Sequence, residues 1–161
     1  MTPLSRRALF GATAIAALAL AGCANGSPTL ATVAVDVKTI ANGLSGALAN
    51  LPPGTVPASK SPIVQAALAD LAVVAAGISS ADSAAAAQPM ILRVETDVNA
   101  VVGILSSMPL PAPLPAVFQA AMVLLPVVEA GVGMAVPVGA APSRMSPSEA
   151  RAVLAGAAAR R

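Results

Sequence analysis

Apolar residues recur along four stretches of the chain at alternating steps of three and four positions. This spacing places each set on one face of an α-helix, whereas a half-buried β-strand would alternate at every second residue. The pattern predicts four helices over 28–51, 62–82, 89–108 and 114–135. The four apolar stripes are Leu30, Val33, Val37, Ile40, Leu44, Ala47 and Leu51; Val64, Ala67, Leu71, Val74, Ile78 and Ala81; Ile91, Val94, Val98, Val101, Leu105 and Met108; Leu114, Val117, Ala121, Leu124 and Val128.

Proline steps precede these segments and predict where the helices begin. A serine at the N-cap accepts a hydrogen bond from an unpaired backbone N–H, and proline at the first helical position loses no helical hydrogen bond. Ser146 and Glu149 also have the spacing of a capping box. Pro126 is expected to kink the fourth helix or end it early. The steps are Ser27-Pro28, Ser61-Pro62, Gln88-Pro89 and Ser146-Pro147.

Similar helix lengths and short connections favour an all-α fold, a four-helix up-down bundle over residues 28–135. A linker over 136–147 and a short C-terminal helix over 148–161 complete the expected organisation. The tail from Arg144 to Arg161 carries four arginines against one acidic residue, Glu149. We interpret it as a soluble, frayed end; contact with an anionic lipid or polymer is the alternative.

The four predicted helices differ in the polarity of their outer faces. The first and third carry polar residues there: Asp36, Lys38, Asn42 and Ser45 on the first; Arg93, Glu95, Asp97 and Asn99 on the third. The second and fourth are apolar on nearly every side, so they need a further covering surface. We predict self-association, contact with an envelope protein, or shallow contact with a lipid surface, through residues 62–82 and 114–135. Insertion of these two helices into a membrane is the alternative.

The charged residues offer few candidates for chemistry. Glu95 and Asp97 point about 200° apart on a helix, so they do not share a proton or a metal ion. Arg93 and Asp97 have the spacing of an i,i+4 ion pair. Asp70 and Glu129 are each the lone charge of an apolar helix. Two alternatives stay open for them: they meet Arg93 or one another inside the bundle, or they emerge at its surface.

Composition excludes several classes of function. The chain of 161 residues is 57% hydrophobic and 10% charged, and it contains no histidine, tryptophan or tyrosine. It therefore lacks the most common general base and metal ligand, and the aromatic platforms that stack on nucleobases. Without Arg6 and Arg7 the basic and acidic residues balance at seven each, which leaves no basic surface for nucleic acid. We predict no catalytic residues, no metal site and no cofactor.

The N-terminus has the layout of an export signal. The segment MTPLSRR ends in two arginines, a 14-residue uncharged run (8–21) follows, and then come Gly22 and Cys23. A positive start, a short apolar run and small residues before the cleavage point are typical of a signal peptide. A membrane span needs about 20 residues, so this run is too short to be one.

Leu20, Ala21, Gly22 and Cys23 resemble the lipobox of bacterial lipoproteins, L-[AS]-[GA]-C. The resemblance implies that residues 1–22 are a signal peptide removed by the lipoprotein signal peptidase, which recognises Leu20, Ala21 and Gly22. It also implies that Cys23 becomes the acylated first residue, with 23–27 as a tether to the membrane.

The segment Ser5 to Phe10 is similar to a twin-arginine export motif that contains Arg6 and Arg7, although Leu9 and Phe10 are exchanged relative to it. Export by the twin-arginine or by the general secretory route stays open. Ala24 and Asn25 follow the cysteine where an aspartate would signal retention in the inner membrane, so the resemblance favours the periplasmic face of the outer membrane.

The sequence thus predicts a small exported lipoprotein that acts as a non-catalytic structural or interaction module of the cell envelope. A membrane-inserting, lysis-associated small protein of the prophage type is the alternative function.

Overall fold

The computed structural model describes residues 29–135 and 144–160. The described residues form helices and turns without a strand, which confirms the predicted all-α class. Their helices, in chain order, are α1 (Leu30–Ala49), α2 (Ser61–Ser79), α3 (Ala84–Ser106), α4 (Leu114–Gly131) and α5 (Pro147–Ala158).

Helices α1 to α4 form the predicted four-helix up-down bundle. Each of them packs against the next in the chain, and α4 returns to pack against α1. The direction alternates: Gln88 Nε2, near the start of α3, donates to the Val132 carbonyl oxygen just after the end of α4, at 3.1 Å. The fifth helix, α5, packs against both α1 and α4 and is therefore part of the folded body.

The predicted apolar stripes form the hydrophobic core. Every stripe residue is buried except four at or beyond helix ends, which are partly buried: Leu30, Leu51, Ala81 and Met108. Complete burial of a Val, Leu or Ile side chain contributes about 1.5–3 kcal/mol. Most of the residues whose burial stabilises the fold therefore lie at the positions that the three- and four-residue spacing predicts.

The predicted start of α5 is confirmed. The Ser146 hydroxyl accepts a hydrogen bond from the Glu149 backbone N–H at 3.3 Å. In return, Glu149 Oε2 accepts one from the Ser146 backbone N–H at 2.7 Å. At α1 the capping residue is Thr29, whose hydroxyl accepts from the Thr32 N–H at 3.3 Å, whereas the predicted Ser27-Pro28 step lies outside the described residues.

The predicted N-cap of α2 and the predicted start of α3 are wrong. Ser61 is the first residue of α2, and its N-cap, Lys60, makes no side-chain capping bond. Helix α3 begins at Ala84, before Gln88-Pro89, because the Ser83 hydroxyl caps the Ala86 N–H at 3.2 Å. The alanines after Ser83 have high helix propensity, so the helix continues through Pro89 although that residue donates no helical hydrogen bond.

Pro126 does not end α4, which runs on to Gly131. The helix stops four residues before the predicted end at 135, and the turn that follows contains Gly133 with φ of 73°. A residue with a side chain rarely adopts this left-handed conformation, so glycine suits the turn.

Candidate functional site

The residues predicted to direct export and lipid attachment lie outside the described part of the chain. They are Arg6, Arg7, Leu20, Ala21, Gly22 and Cys23. The folded body begins close to them in sequence, because the α1 cap, Thr29, is only six residues after Cys23.

Asp36 is buried between α1 and α5 and is not part of a polar outer face, so that prediction is wrong. Arg151 of α5 donates to it through two nitrogens, Nε to Oδ1 at 2.6 Å and Nη2 to Oδ2 at 2.7 Å. The hydrogen bonds to Asp36 raise the pKa of Arg151. Arg151 is therefore a structural cation that neutralises a buried carboxylate, and the interpretation of this segment as a soluble, frayed end is wrong.

Two glycines of α1 allow α5 to approach closely. A Cβ atom at Gly43 would lie 2.9 Å from the Leu154 Cβ, and one at Gly46 would lie 2.9 Å from the Ala158 Cα. These distances are shorter than van der Waals contact. The seam between α1 and α5 thus combines backbone proximity with an ion pair to a buried carboxylate, which makes it a packed structural contact.

A second Asp–Arg pair joins α2 to α3. Arg93 Nε donates to Asp70 Oδ2 at 3.1 Å, and Arg93 Nη2 donates to Asp70 Oδ1. Of the open alternatives for Asp70, the structure selects a contact with Arg93. This pair lies at a partly exposed seam. The i,i+4 spacing predicts Asp97 as the partner of Arg93, but Arg93 binds Asp70 instead.

Glu95 and Asp97 each face a carboxylate of a different neighbouring helix. Burial, together with a hydrogen bond and repulsion from Asp70, raises the pKa of Asp97 to about 6. Burial raises the pKa of Glu129 of α4, with a smaller contribution from the negative charge of Glu95. The prediction that Glu95 and Asp97 do not act as one pair agrees with this geometry. Glu129 lies near Glu95 on one side of α3, and Asp70 lies beside Asp97 on the other side.

A cavity of about 120 Å³ lies at the opposite end of the bundle from Thr29, between the ends of α1 and α5 and the start of α4. Its walls include Pro111, Pro113 and Val117, with Asn50 and Arg160 as polar residues. The Asn50 Nδ2 already donates to the Gly46 carbonyl oxygen at 2.7 Å. The walls bring no nucleophile or acid–base pair together, so the cavity has no evident catalytic chemistry.

The two apolar helices differ in how they are covered. Helix α5 packs against α4, whereas α2 contacts only α1 and α3 among the described helices. Both α2 and α4 are long and apolar enough to cross a membrane by length and composition alone, a test that core helices of soluble proteins also pass. The expected extra cover for α4 is therefore α5, and the outer side of α2 is the larger uncovered apolar surface.

Within residues 29–135 and 144–160, no group of three or more Asp, Glu, His or Cys side chains is placed to hold a metal ion. Among the described charged residues, two Asp–Arg pairs join helices, and Glu149 caps α5. Comparison of the chain with protein-family models, with curated proteins and with solved structures finds no match.

Proposed function

We propose that this protein is a lipid-anchored, non-catalytic module of the bacterial cell envelope, with Cys23 as its acylated first residue. The observation that carries the proposal is the sequence Leu20 to Cys23 directly after a 14-residue uncharged run. The thiol is the only one in the chain. Under this proposal the thiol is the point of lipid attachment.

The described residues support a module that binds or scaffolds without catalysing a reaction. The short distance in sequence from Cys23 to Thr29 would hold the bundle next to the membrane. The uncovered outer side of α2 would be available to another envelope component or to a second copy of the chain. The proposed location is the periplasmic face of the outer membrane.

Processing of the precursor tests the proposal. We expect Cys23→Ala, or treatment of cells with globomycin, to leave the full-length precursor, because the lipoprotein peptidase acts only after the thiol is acylated. Gly26→Ala, outside the four lipobox residues, is the matched control and should mature normally. Mass spectrometry of the mature product should find diacylglycerol on Cys23; a Cys23→Ala chain that matures normally would refute lipidation.

The length and composition of α2 and α4 favour a second candidate, a membrane-inserting protein of the lysis type. In this case the two helices leave the bundle and span the bilayer. Alkaline carbonate extraction of Cys23→Ala, exported with a cleavable signal that carries no lipobox, separates the two functions. A spanning protein stays in the membrane pellet, whereas an untethered envelope module is released.

A further inference from the structure

Helices α2 and α3 bring two carboxyl groups together beside a single arginine. Arg93 donates through both Nε and Nη2 to the carboxylate of Asp70. The carboxyl group of Asp97, one turn further along α3, lies against that of Asp70. We call Asp70 and Asp97 the carboxyl pair. One positive charge therefore faces two carboxyl groups, and both of its donating nitrogens are directed at only one of them.

The second member of the carboxyl pair has an oxygen without a partner. Within residues 29–135 and 144–160, Asp97 Oδ2 is the one buried side-chain oxygen or nitrogen atom that makes no hydrogen bond. An ionised carboxylate only accepts hydrogen bonds, so two ionised carboxylates cannot bond to one another. A buried polar atom that stays unpaired costs free energy, and such an atom in a folded protein calls for an explanation.

A proton from solvent supplies the missing hydrogen bond. When Asp97 Oδ2 carries it, this O–H group can donate to the neighbouring carboxylate of Asp70, which accepts. The net charge of the cluster then falls from −1 to zero, because one carboxylate remains opposite Arg93. Burial, followed by the hydrogen bond and the negative charge of Asp70, raises the pKa of Asp97 to about 6, which agrees with this arrangement.

The other charged groups on the helices that pack against α3 have different surroundings. Glu129 of α4 faces Glu95, on the other side of α3. On α1, Asp36 is paired with Arg151, and Lys38 is exposed. The arginine of the cluster is therefore the cation that acts on the carboxyl pair.

Helix α2 depends strongly on this seam. Among the described helices it contacts only α1 and α3, and its N-cap, Lys60, makes no side-chain capping bond. The partly exposed pair of Asp70 and Arg93 adds little stability. Like charges across one of the two seams of α2 would therefore favour its local opening, which exposes its buried apolar stripe.

We propose that Asp70 and Asp97 bind one proton between them, and that this proton controls how often α2 opens from the bundle. With the proton bound, the Asp97 O–H donates to Asp70 and holds α2 against α3. When the proton leaves to solvent, the two carboxylates repel each other and α2 opens more often. The native seam binds the proton more tightly than the opened one, so its contribution is greatest at acidic pH. That contribution is lost as pH rises through about 6.

Carboxyl ¹³C resonances of the full-length chain, labelled at aspartate, test the shared proton. The chain contains four aspartates, Asp36, Asp70, Asp82 and Asp97, and substitution to asparagine assigns each signal. We expect the Asp97 signal to titrate with a midpoint of about 6, with the Asp70 signal responding at the same pH. Asp70→Asn removes the repelling charge and releases Arg93, so it should lower the Asp97 midpoint by about 1 pH unit or more. A midpoint near the ordinary value of 3.8 in the unmodified chain, or one that Asp70→Asn leaves in place, would overturn the shared proton.

Amide hydrogen exchange tests the opening of α2. After correction for intrinsic exchange rates, the protection of Leu71, in the middle of α2, should fall at least about threefold between about pH 5 and about pH 7.5. Asp97→Asn, whose amide donates at every pH, should abolish this fall. Glu95→Gln, on the other side of α3, is the matched control and should keep it. A fall that persists in Asp97→Asn, or Leu71 exchange no faster than that of Leu44 in α1, would overturn control of α2 by the proton. Both measurements concern the folded body, so they are independent of lipid attachment at the N-terminus.

Discussion

The seam between α1 and α5 and the seam between α2 and α3 each contain one Asp–Arg pair, and the two pairs lie in different surroundings. The Asp36 side chain is 5% exposed, and the Asp70 side chain is 30% exposed. Asp36 is neutralised by one arginine in a closely packed seam. Asp70 has Arg93 on one side and a second carboxylate, Asp97, on the other.

This difference decides what each pair contributes. A buried carboxylate that loses its partner has no water to replace it, so removing one partner costs about 3–5 kcal/mol. An exposed pair is already solvated and contributes about 0–1 kcal/mol. Similar hydrogen-bond geometry therefore fixes α5 against α1, whereas it adds little stability at the seam between α2 and α3.

The largest expected effect is that of Arg151→Ala. We expect a loss of about 2–4 kcal/mol in the free energy of unfolding, because the variant leaves Asp36 buried without its cation. The corresponding variant at the other seam, Arg93→Ala, should lose less than about 1 kcal/mol. Urea unfolding followed by circular dichroism measures both. Equal losses would show that burial does not distinguish the seams.

Glycine-to-alanine substitutions compare how closely the helices pack at the two seams. We expect Gly46→Ala to destabilise the protein by about 1–3 kcal/mol, because the added methyl group meets the α5 backbone, which has no rotamer to change. At the other seam, a Cβ at Gly77 would lie 3.1 Å from the Met90 sulfur. That side chain is flexible, so Gly77→Ala should be near neutral in the same unfolding experiment.

Gly103→Ala in α3 is the control for helix propensity, since nothing lies within 4 Å of the added Cβ. It should stabilise the protein by about 0.5–1 kcal/mol. If Gly46→Ala also stabilises, α5 is not held as closely against α1 as the structure indicates.

The period of the apolar residues was sufficient to predict α1 to α4 and nearly all of their buried positions. Each stripe is local information, since it depends only on which residues share one helix face. The same 4,3 spacing is present in α5 at Ala150, Leu154 and Ala157, all buried. The stripe is short and composed mostly of alanine, so it did not signal a packed helix.

The sequence did not predict which charged residues of different helices pair with one another. Asp36 belongs to a run that looks polar, and its partner lies 115 residues further along the chain. Which carboxylate Arg93 binds depends on the register between α2 and α3, and the i,i+4 rule considers one helix only. The spacing of Gly43 and Gly46 was the one available sign of a close helix contact on α1, and it does not identify the partner.

The smallest expected effect concerns pH. The pKa of Asp97 is about 6 in the folded chain, against an ordinary value of 3.8, so the native state binds this proton more tightly than the unfolded chain. Its contribution to stability is full below about pH 4 and is lost as pH rises through 6. Compared with Asp97→Asn, which carries no charge at any pH, the unmodified chain should lose stability between pH 4 and 7. The full shift corresponds to roughly 3 kcal/mol as an upper bound, and solvent screening at the partly exposed seam reduces the loss well below it.

Glu149 of α5 provides the control with the opposite sign. The hydrogen bond from the Ser146 backbone N–H lowers the pKa of Glu149, so its contribution is present above the ordinary value of 4.5 and is lost as pH falls. Relative to Glu149→Gln, the unmodified chain should therefore lose stability on acidification, whereas relative to Asp97→Asn it should gain. Thermal unfolding from pH 3 to 8 measures both differences. If the two have the same sign, the carboxylate at the α2–α3 seam is not held in a repelling, partly desolvated contact.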